Sequence, residues 1–175
     1  MKTILKNIRI SYPDIFTPGK KFGKYGAQFR FNKDSGVKEQ IEAAIDEQGV
    51  MAFGKEWEKV KKGLVNKGKL FRVNDGEDKD YEEDYFISVH NAGRPHVVGR
   101  DAKPLTADDN VIYSGCRVDA WVDVSAYEQK EYGPVVSVKL LAVQFRGDDT
   151  PYSGGPSVTA NDFTPITDGA DAPDL

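Results

Sequence analysis

A mostly β, α+β chain built around a small closed barrel is predicted by three observations. Two-residue alternation of apolar and polar side chains recurs at residues 2–12, 24–33, 115–126 and 133–146, the mark of half-buried strands. Between the second and third strand blocks the period lengthens to that of a helix, over residues 34–64. The last positive charge is Arg146, and the 29 residues beyond it hold six acids and no Lys or Arg. Residues 1–146 therefore net about +2, while the whole chain nets −4. A slightly basic folded body with an acidic, Pro/Gly/Ser/Thr-rich tail is expected. That tail has too little apolar surface to fold and is predicted to be disordered. The division falls at residue 150, with the domain at 1–150 and the tail at 151–175.

In residues 2–12, Ile4, Ile8, Ile10 and Tyr12 share one phase and Thr3, Asn7, Arg9 and Ser11 the other, until Pro13 and Pro18-Gly19 break the strand. In the second run Tyr25, Ala27, Phe29 and Phe31 face one way, and Lys24, Gln28 and Arg30 the other. Asp34 or Ser35 caps a helix whose apolar stripe is Val37, Ile41, Ala44 and Ile45, with Gly49 as its terminator. Phe53, Trp57, Val60 and Leu64 form the stripe of a second helix, most simply read as core. Residues 75–84, with seven acids against Lys79, read as a solvated loop. Strands resume at 85–91 and 95–99. The 115–126 strand buries Cys116, Val118, Ala120, Val122 and Val124, and the turn at Tyr132-Gly133 starts the last one.

With about 150 residues outside the tail the chain makes one domain. A lone cysteine, Cys116, excludes an internal disulfide framework and fits a reducing compartment. The first residues meet a charge after two apolar side chains, and no apolar run nears the ~20 residues of a membrane helix. A cytoplasmic protein is expected. No phosphate loop, dinucleotide fingerprint or zinc-spaced cysteine pair is present. His90, His96 and Cys116 make a poor metal set. No cofactor, metal or catalytic residue is assigned. The acids of 75–84 leave open a metal-dependent nuclease, since paired carboxylates hold the ions that activate water. A barrel that binds peptide as an adaptor is a further alternative.

The positive signals are cationic and aromatic. Between Asp14 and Asp34 there is no acid, but there are Lys20, Lys21, Lys24, Arg30 and Lys33, with Phe16, Phe22 and Tyr25 interleaved. Single strands are held by rings that stack bases beside cations that neutralise phosphates. Phe22 is such a ring or part of a satellite core under its loop. Trp121 lies in the polar phase of its strand beside Arg117, and is either covered by the helical insertion or a stacking platform. A second basic patch joins Arg94, His96, Arg100 and Lys103, and Tyr113 and Tyr127 flank the 115–126 strand.

Several blocks resemble a family of phage-encoded single-stranded DNA-binding proteins, formerly filed as a domain of unknown function. These are Asn7-Ile-Arg-Ile-Ser-Tyr-Pro13 with Phe16, Gly93-Arg-Pro-His-Val-Val98 with Pro104-Leu105, Tyr113-Ser-Gly-Cys116, and Val138-Lys-Leu-Leu-Ala-Val-Gln-Phe145 with Gly147-Asp148. The resemblance runs from about residue 4 to 155, and extends more distantly to the helix-destabilising proteins of other tailed phages. It implies an OB-fold-like five-stranded barrel that coats single-stranded DNA in replication, recombination and repair, without catalysis, in the cytoplasm of the infected host. It places Arg9, Tyr12, the loop Lys20–Tyr25, Arg94, Arg100 and Lys103 on the DNA-facing surface. It also implies a tail, here Asp168, Asp171, Asp174 and Leu175, that contacts phage or host replication and recombination proteins and moderates DNA binding. Removing the tail acids is expected to tighten DNA binding.

Overall fold

A computed structural model describes residues 1–76, 81–152 and 163–167. The chain folds as β1 (Lys2–Asp14), β2 (Tyr25–Phe31), α1 (Val37–Phe53), α2 (Trp57–Asn66), β3 (Asn74–Asp75), β4 (Tyr85–Asn91), β5 (His96–Val98), β6 (Arg117–Gln129) and β7 (Gly133–Gly147). The sheet runs β3-β4-β2-β1-β6-β7-β5, and a parallel pairing of β4 with β7 at His90 and Lys139 closes it. The closed ring is β1-β2-β4-β7-β6, a five-stranded OB-fold-like barrel with both helices between its second and third strands, as predicted. Closure leaves the ring no free edge.

Alternation puts Phe29, Ile87, Val89, Val118, Val122, Val124, Leu140 and Val143 inside the ring, each at most 1% exposed. A fully buried side chain such as Phe29 contributes about 1.5–3 kcal/mol over its exposed state. In β1 the predicted phase holds only at Ile8 and Ile10, and Tyr12, placed in the same phase, is exposed. The ladder to β6 shifts register between Leu5 and Ile8, and Asn7 there has φ 55. The extra residue of this bulge re-aims the strand, so Leu5 rather than Ile4 shares the core with Ile8 and Ile10.

The helical insertion follows its predicted stripe, with Val37, Ile41, Ala44 and Ile45 buried, but its ends differ. Neither Asp34 nor Ser35 caps α1. Gly36, in the left-handed region at φ 77, is the N-cap residue, because Ser35 sits in a preceding 3-10 turn. Nor does Gly49 end the helix, which continues to Phe53 before Gly54 (φ 56) turns the chain. Gly49 is instead where the Trp57 indole lies flat on α1: a Cβ at residue 49 would meet ring atoms at 2.2 Å. Trp57, 1% exposed, donates its indole N–H to Asp46 at 3.0 Å, so the core reading of its stripe holds. Lys61 bonds the same carboxylate at 2.8 Å, and these contacts hold Asp46 below the usual carboxylate range against the opposing effect of its partial burial.

The two glycines of the insertion make a matched test. Gly49→Ala drives a methyl into the indole and should lower stability by about 1–3 kcal/mol. Gly63→Ala, where a Cβ meets nothing within 4 Å in the middle of α2, should raise it by about 0.5–1 kcal/mol. Urea denaturation of the two variants checks both signs.

Candidate nucleic-acid interface

The outer face of β1, β2 and β4 carries a set of aromatic and cationic side chains in mutual contact. Its order follows from register: Gly26 pairs with His90, Gln28 with Ser88 and Ser11, and Arg30 with Phe86 and Arg9. At one end the β1–β2 loop lifts Phe22 over the strands. The ring is 65% exposed, sits edge-on to His90 at 6.0 Å, and has the Lys21 ammonium 5.3 Å from its centroid. The satellite-core alternative for Phe22 therefore does not describe its position. Gly26 is required under this pair, since a Cβ there would meet the His90 ring at 2.4 Å. Lys20 and Lys24 are exposed in the same loop, and Tyr25 is half-buried at its end.

At the other end four tyrosines line a groove of about 610 Å³: Tyr12, Tyr81, Tyr113 and Tyr152, with Pro13 and Pro151 between them. Tyr12 is 64% exposed, in the left-handed region at φ 47, and its hydroxyl accepts from that of Tyr81 at 3.2 Å. The Tyr113 hydroxyl donates to Asp148 at 2.9 Å and accepts from the Asp149 amide at 3.1 Å.

Beneath this groove lie two arginines that the sequence places on the surface and the fold buries. Arg9 is 4% exposed. Its Nη1 meets Glu83 at 2.8 Å, its Nε donates to the Gly115 carbonyl at 2.8 Å, its Nη2 donates to the Thr150 carbonyl, and its guanidinium lies 4.1 Å from the Tyr152 ring centre. Arg30, also 4% exposed, lies between the Tyr81 and Phe86 rings at 3.2 and 4.8 Å. Strand alternation predicts which face a side chain takes, and says nothing of what later covers that face.

The same cluster corrects the solvated-loop reading of 75–84. Glu83 is 6% exposed as the partner of Arg9, and Asp84 accepts from the Lys33 amide at 2.9 Å. Residues 77–80 lie outside the described residues. Among the described residues no three His, Cys, Asp or Glu side chains converge to hold an ion.

Residues 148–152 run back over the barrel as a strap. Asp149 bridges to Arg117 at 2.9 Å, and the Tyr152 amide donates to Ser114 at 3.1 Å. Gly115 (φ 113) lets the strap lie flat, since a Cβ there would meet the Thr150 carbonyl at 2.5 Å. The Thr150 amide, then Arg117 and Arg9, hold the Asp149 carboxyl below its ordinary range against the effect of burial. Burial, then the neighbouring Glu83 carboxylate, push the Tyr152 phenol far above its ordinary 10.0. A raised pKa means that the unfolded chain ionises first, so this contribution to stability is complete below about pH 10 and is lost as pH rises further. Tyr152→Phe should accordingly gain on the parent protein above pH 10, and urea unfolding between pH 8 and 11 measures it.

The remaining predicted residues lie elsewhere on the barrel. Arg94 is exposed in the β4–β5 turn, His96 is exposed on β5, and Lys103 is exposed in the loop that follows. Arg100 in that loop donates to the Arg146 carbonyl at 2.9 Å. Arg117 belongs to the strap contacts, Trp121 is half-buried on β6 beside Ile4 and Ala142, and Tyr127 is 43% exposed near the end of β6. Asp168, Asp171, Asp174 and Leu175 lie outside the described residues. Sequence reasoning missed His90, which it weighed only as a metal ligand, and Tyr81 and Tyr152. His90 was detectable from its polar phase in β4, whereas the two tyrosines reach the groove only through long-range folding.

A closed five-stranded barrel with rings and lysines on this face defines an oligonucleotide-binding barrel. A family model described as the single-stranded DNA-binding protein of Enterobacter phage Enc34 matches residues 1–174, and the chain belongs to that family. Protein p50 of Acyrthosiphon pisum secondary endosymbiont phage 1 is 32% identical over 180 residues, 95% of each chain. The single-stranded DNA-binding protein of bacteriophage Enc34 in complex with single-stranded DNA is 28% identical, with a TM-score of 0.63 over 87% of this chain and 89% of that one. A C-terminally truncated form of the Enc34 protein is 25% identical, with a TM-score of 0.61 over 86% and 88%. The family is one of binding proteins and not of enzymes.

Proposed function

We propose that this protein coats single-stranded DNA without sequence preference, with the β1–β2–β4 face as its principal contact surface. The observation that carries the site is Phe22, a 65% exposed ring braced by His90 and Lys21 in a loop without acids. The lysines of that loop neutralise phosphates and release counterions, while Phe22 and Tyr12 offer faces to unstacked bases. A duplex keeps its bases stacked on one another, so the protein takes up single strands as they open. Family membership supports service in phage DNA replication, recombination and repair, in the cytoplasm of the infected bacterial host.

Titrating the protein with fluorescent oligo-dT at rising salt tests the reading. Tight binding near ~50 mM salt that falls log-linearly with salt is expected. No binding at low salt, or binding indifferent to salt, overturns it.

A further inference from the structure

The segment 59–72 is the most basic stretch of the chain, with Lys59, Lys61, Lys62, Lys67, Lys69 and Arg72 and no acid, and none of it belongs to β1, β2 or β4. Between α2 and the β6–β7 turn it borders a groove of about 460 Å³. Val60 and Leu64 of α2 line this groove with Phe53, and Tyr132 (69% exposed) and Pro134 form its far wall. Lys59, Lys67 and Lys69 stand along it against Glu56 and Glu128, leaving a net positive rim. Nothing lies within 4 Å of where a Gly63 Cβ would point, so the groove is open at its middle.

The chain carries a segment of complementary chemistry. Phe163 and Ile166 are 71% and 85% exposed, large apolar side chains with water on most of their surface. They lie in a stretch, 162–174, that holds Asp162, Asp168, Asp171 and Asp174 and no base. Apolar anchors flanked by acids match an apolar groove flanked by lysines.

Geometry favours the groove of another copy. The strap ends at Tyr152 beside Ser114, at the start of β6, whereas Glu128 in the groove wall lies near its end. That separation is eleven residues of strand, ~36 Å at ~3.3 Å each. The eleven residues from Tyr152 to Phe163 span at most ~36–40 Å when fully extended. A copy's own segment would have to be drawn straight along the barrel, while a neighbour's arrives without that constraint.

We propose that the Phe163–Ile166 segment of one copy docks in the α2 groove of the next, linking adjacent molecules along a coated strand. The docking chemistry stands on the groove and the segment; only the placing of neighbours along DNA rests on the proposed function. The test uses the full-length protein and a fluorescein-labelled peptide of residues 160–175, read by anisotropy without DNA. Binding that weakens with salt is expected, lost at least tenfold in Gly63→Trp, in Lys67→Glu/Lys69→Glu, and in a peptide carrying Phe163→Ala and Ile166→Ala. Absence of peptide binding, binding by both protein variants as tight as that of the parent, or displacement of the peptide by a short oligo-dT overturns the proposal. In a second arm, Gly63→Trp should match the parent protein on an oligo-dT that holds one copy and lose cooperativity on one that holds several. Unchanged cooperativity overturns the link between neighbours, and failure of the parent protein to bind either oligonucleotide overturns the DNA-coating reading instead.

Discussion

Replacing Glu83 by Ala should destabilise the barrel by about 3–5 kcal/mol, the range for removing one partner of a buried ion pair. Arg9 and Glu83 are 5% and 6% exposed at the side chain and 2.8 Å apart, so the deletion leaves a buried guanidinium whose nearest counter-charge is the Asp149 carboxylate, 3.5 Å from its Nε. The Gly115 and Thr150 carbonyls still accept from Arg9, which keeps the loss below that of a wholly unpaired charge. A double replacement, Arg9→Met with Glu83→Leu, removes both charges and should recover most of the loss, because two paired ions contribute little beyond well-packed apolar side chains. Guanidinium unfolding of the two variants decides the matter. A double variant as unstable as Glu83→Ala would mean that the cluster acts through its other hydrogen bonds and not through the pairing of charge.

Two sets of changes at the β1–β2 loop should separate stacking from charge. Phe22→Ala is expected to weaken oligo-dT binding by about 1–3 kcal/mol at every salt concentration, leaving the slope of log affinity against log salt unchanged. Replacing Lys20, Lys21 and Lys24 together by Ala should flatten that slope by about 2, since each phosphate neutralised on a single strand contributes ~0.7. Neither set should alter the free energy of unfolding by more than about 0.5 kcal/mol, because Phe22 and the three lysines are exposed. Equilibrium fluorescence titration at four salt concentrations gives both numbers. A Phe22→Ala protein with parent affinity would place the stacking surface elsewhere, with the tyrosine groove as the next position to test.

Alternation and period carried most of the architecture. Val118, Ala120, Val122 and Val124 in β6 and Ala27, Phe29 and Phe31 in β2 have the burial their spacing implies, and the insertion lies where the period lengthens. What spacing did not carry came from single residues or distant partners. One extra residue at the Asn7 bulge moved Leu5 into the core in place of Ile4. Gly49 looked like a helix end because its reason for being glycine is an indole eight residues on. In the site, Phe22 and the loop lysines were readable because they are local and exposed. The cover over Arg9 was not, since it is assembled from Glu83, Gly115 and Thr150, between 74 and 141 residues away. An acid among seven gives no sign of being the buried one.

The strap has a practical consequence for how the chain is divided. Cutting at Arg146 would remove every tail acid, but it would also take away Asp149, which bridges Arg117, and Thr150 and Tyr152, which roof the Arg9 guanidinium. A protein shortened there loses part of its interior, and a change in its DNA affinity would mix damage with the removal of charge. A cut just after Tyr152 keeps the roof and still discards Asp162, Asp168, Asp171 and Asp174. The folded body thus reaches at least six residues beyond the point where the charge pattern breaks.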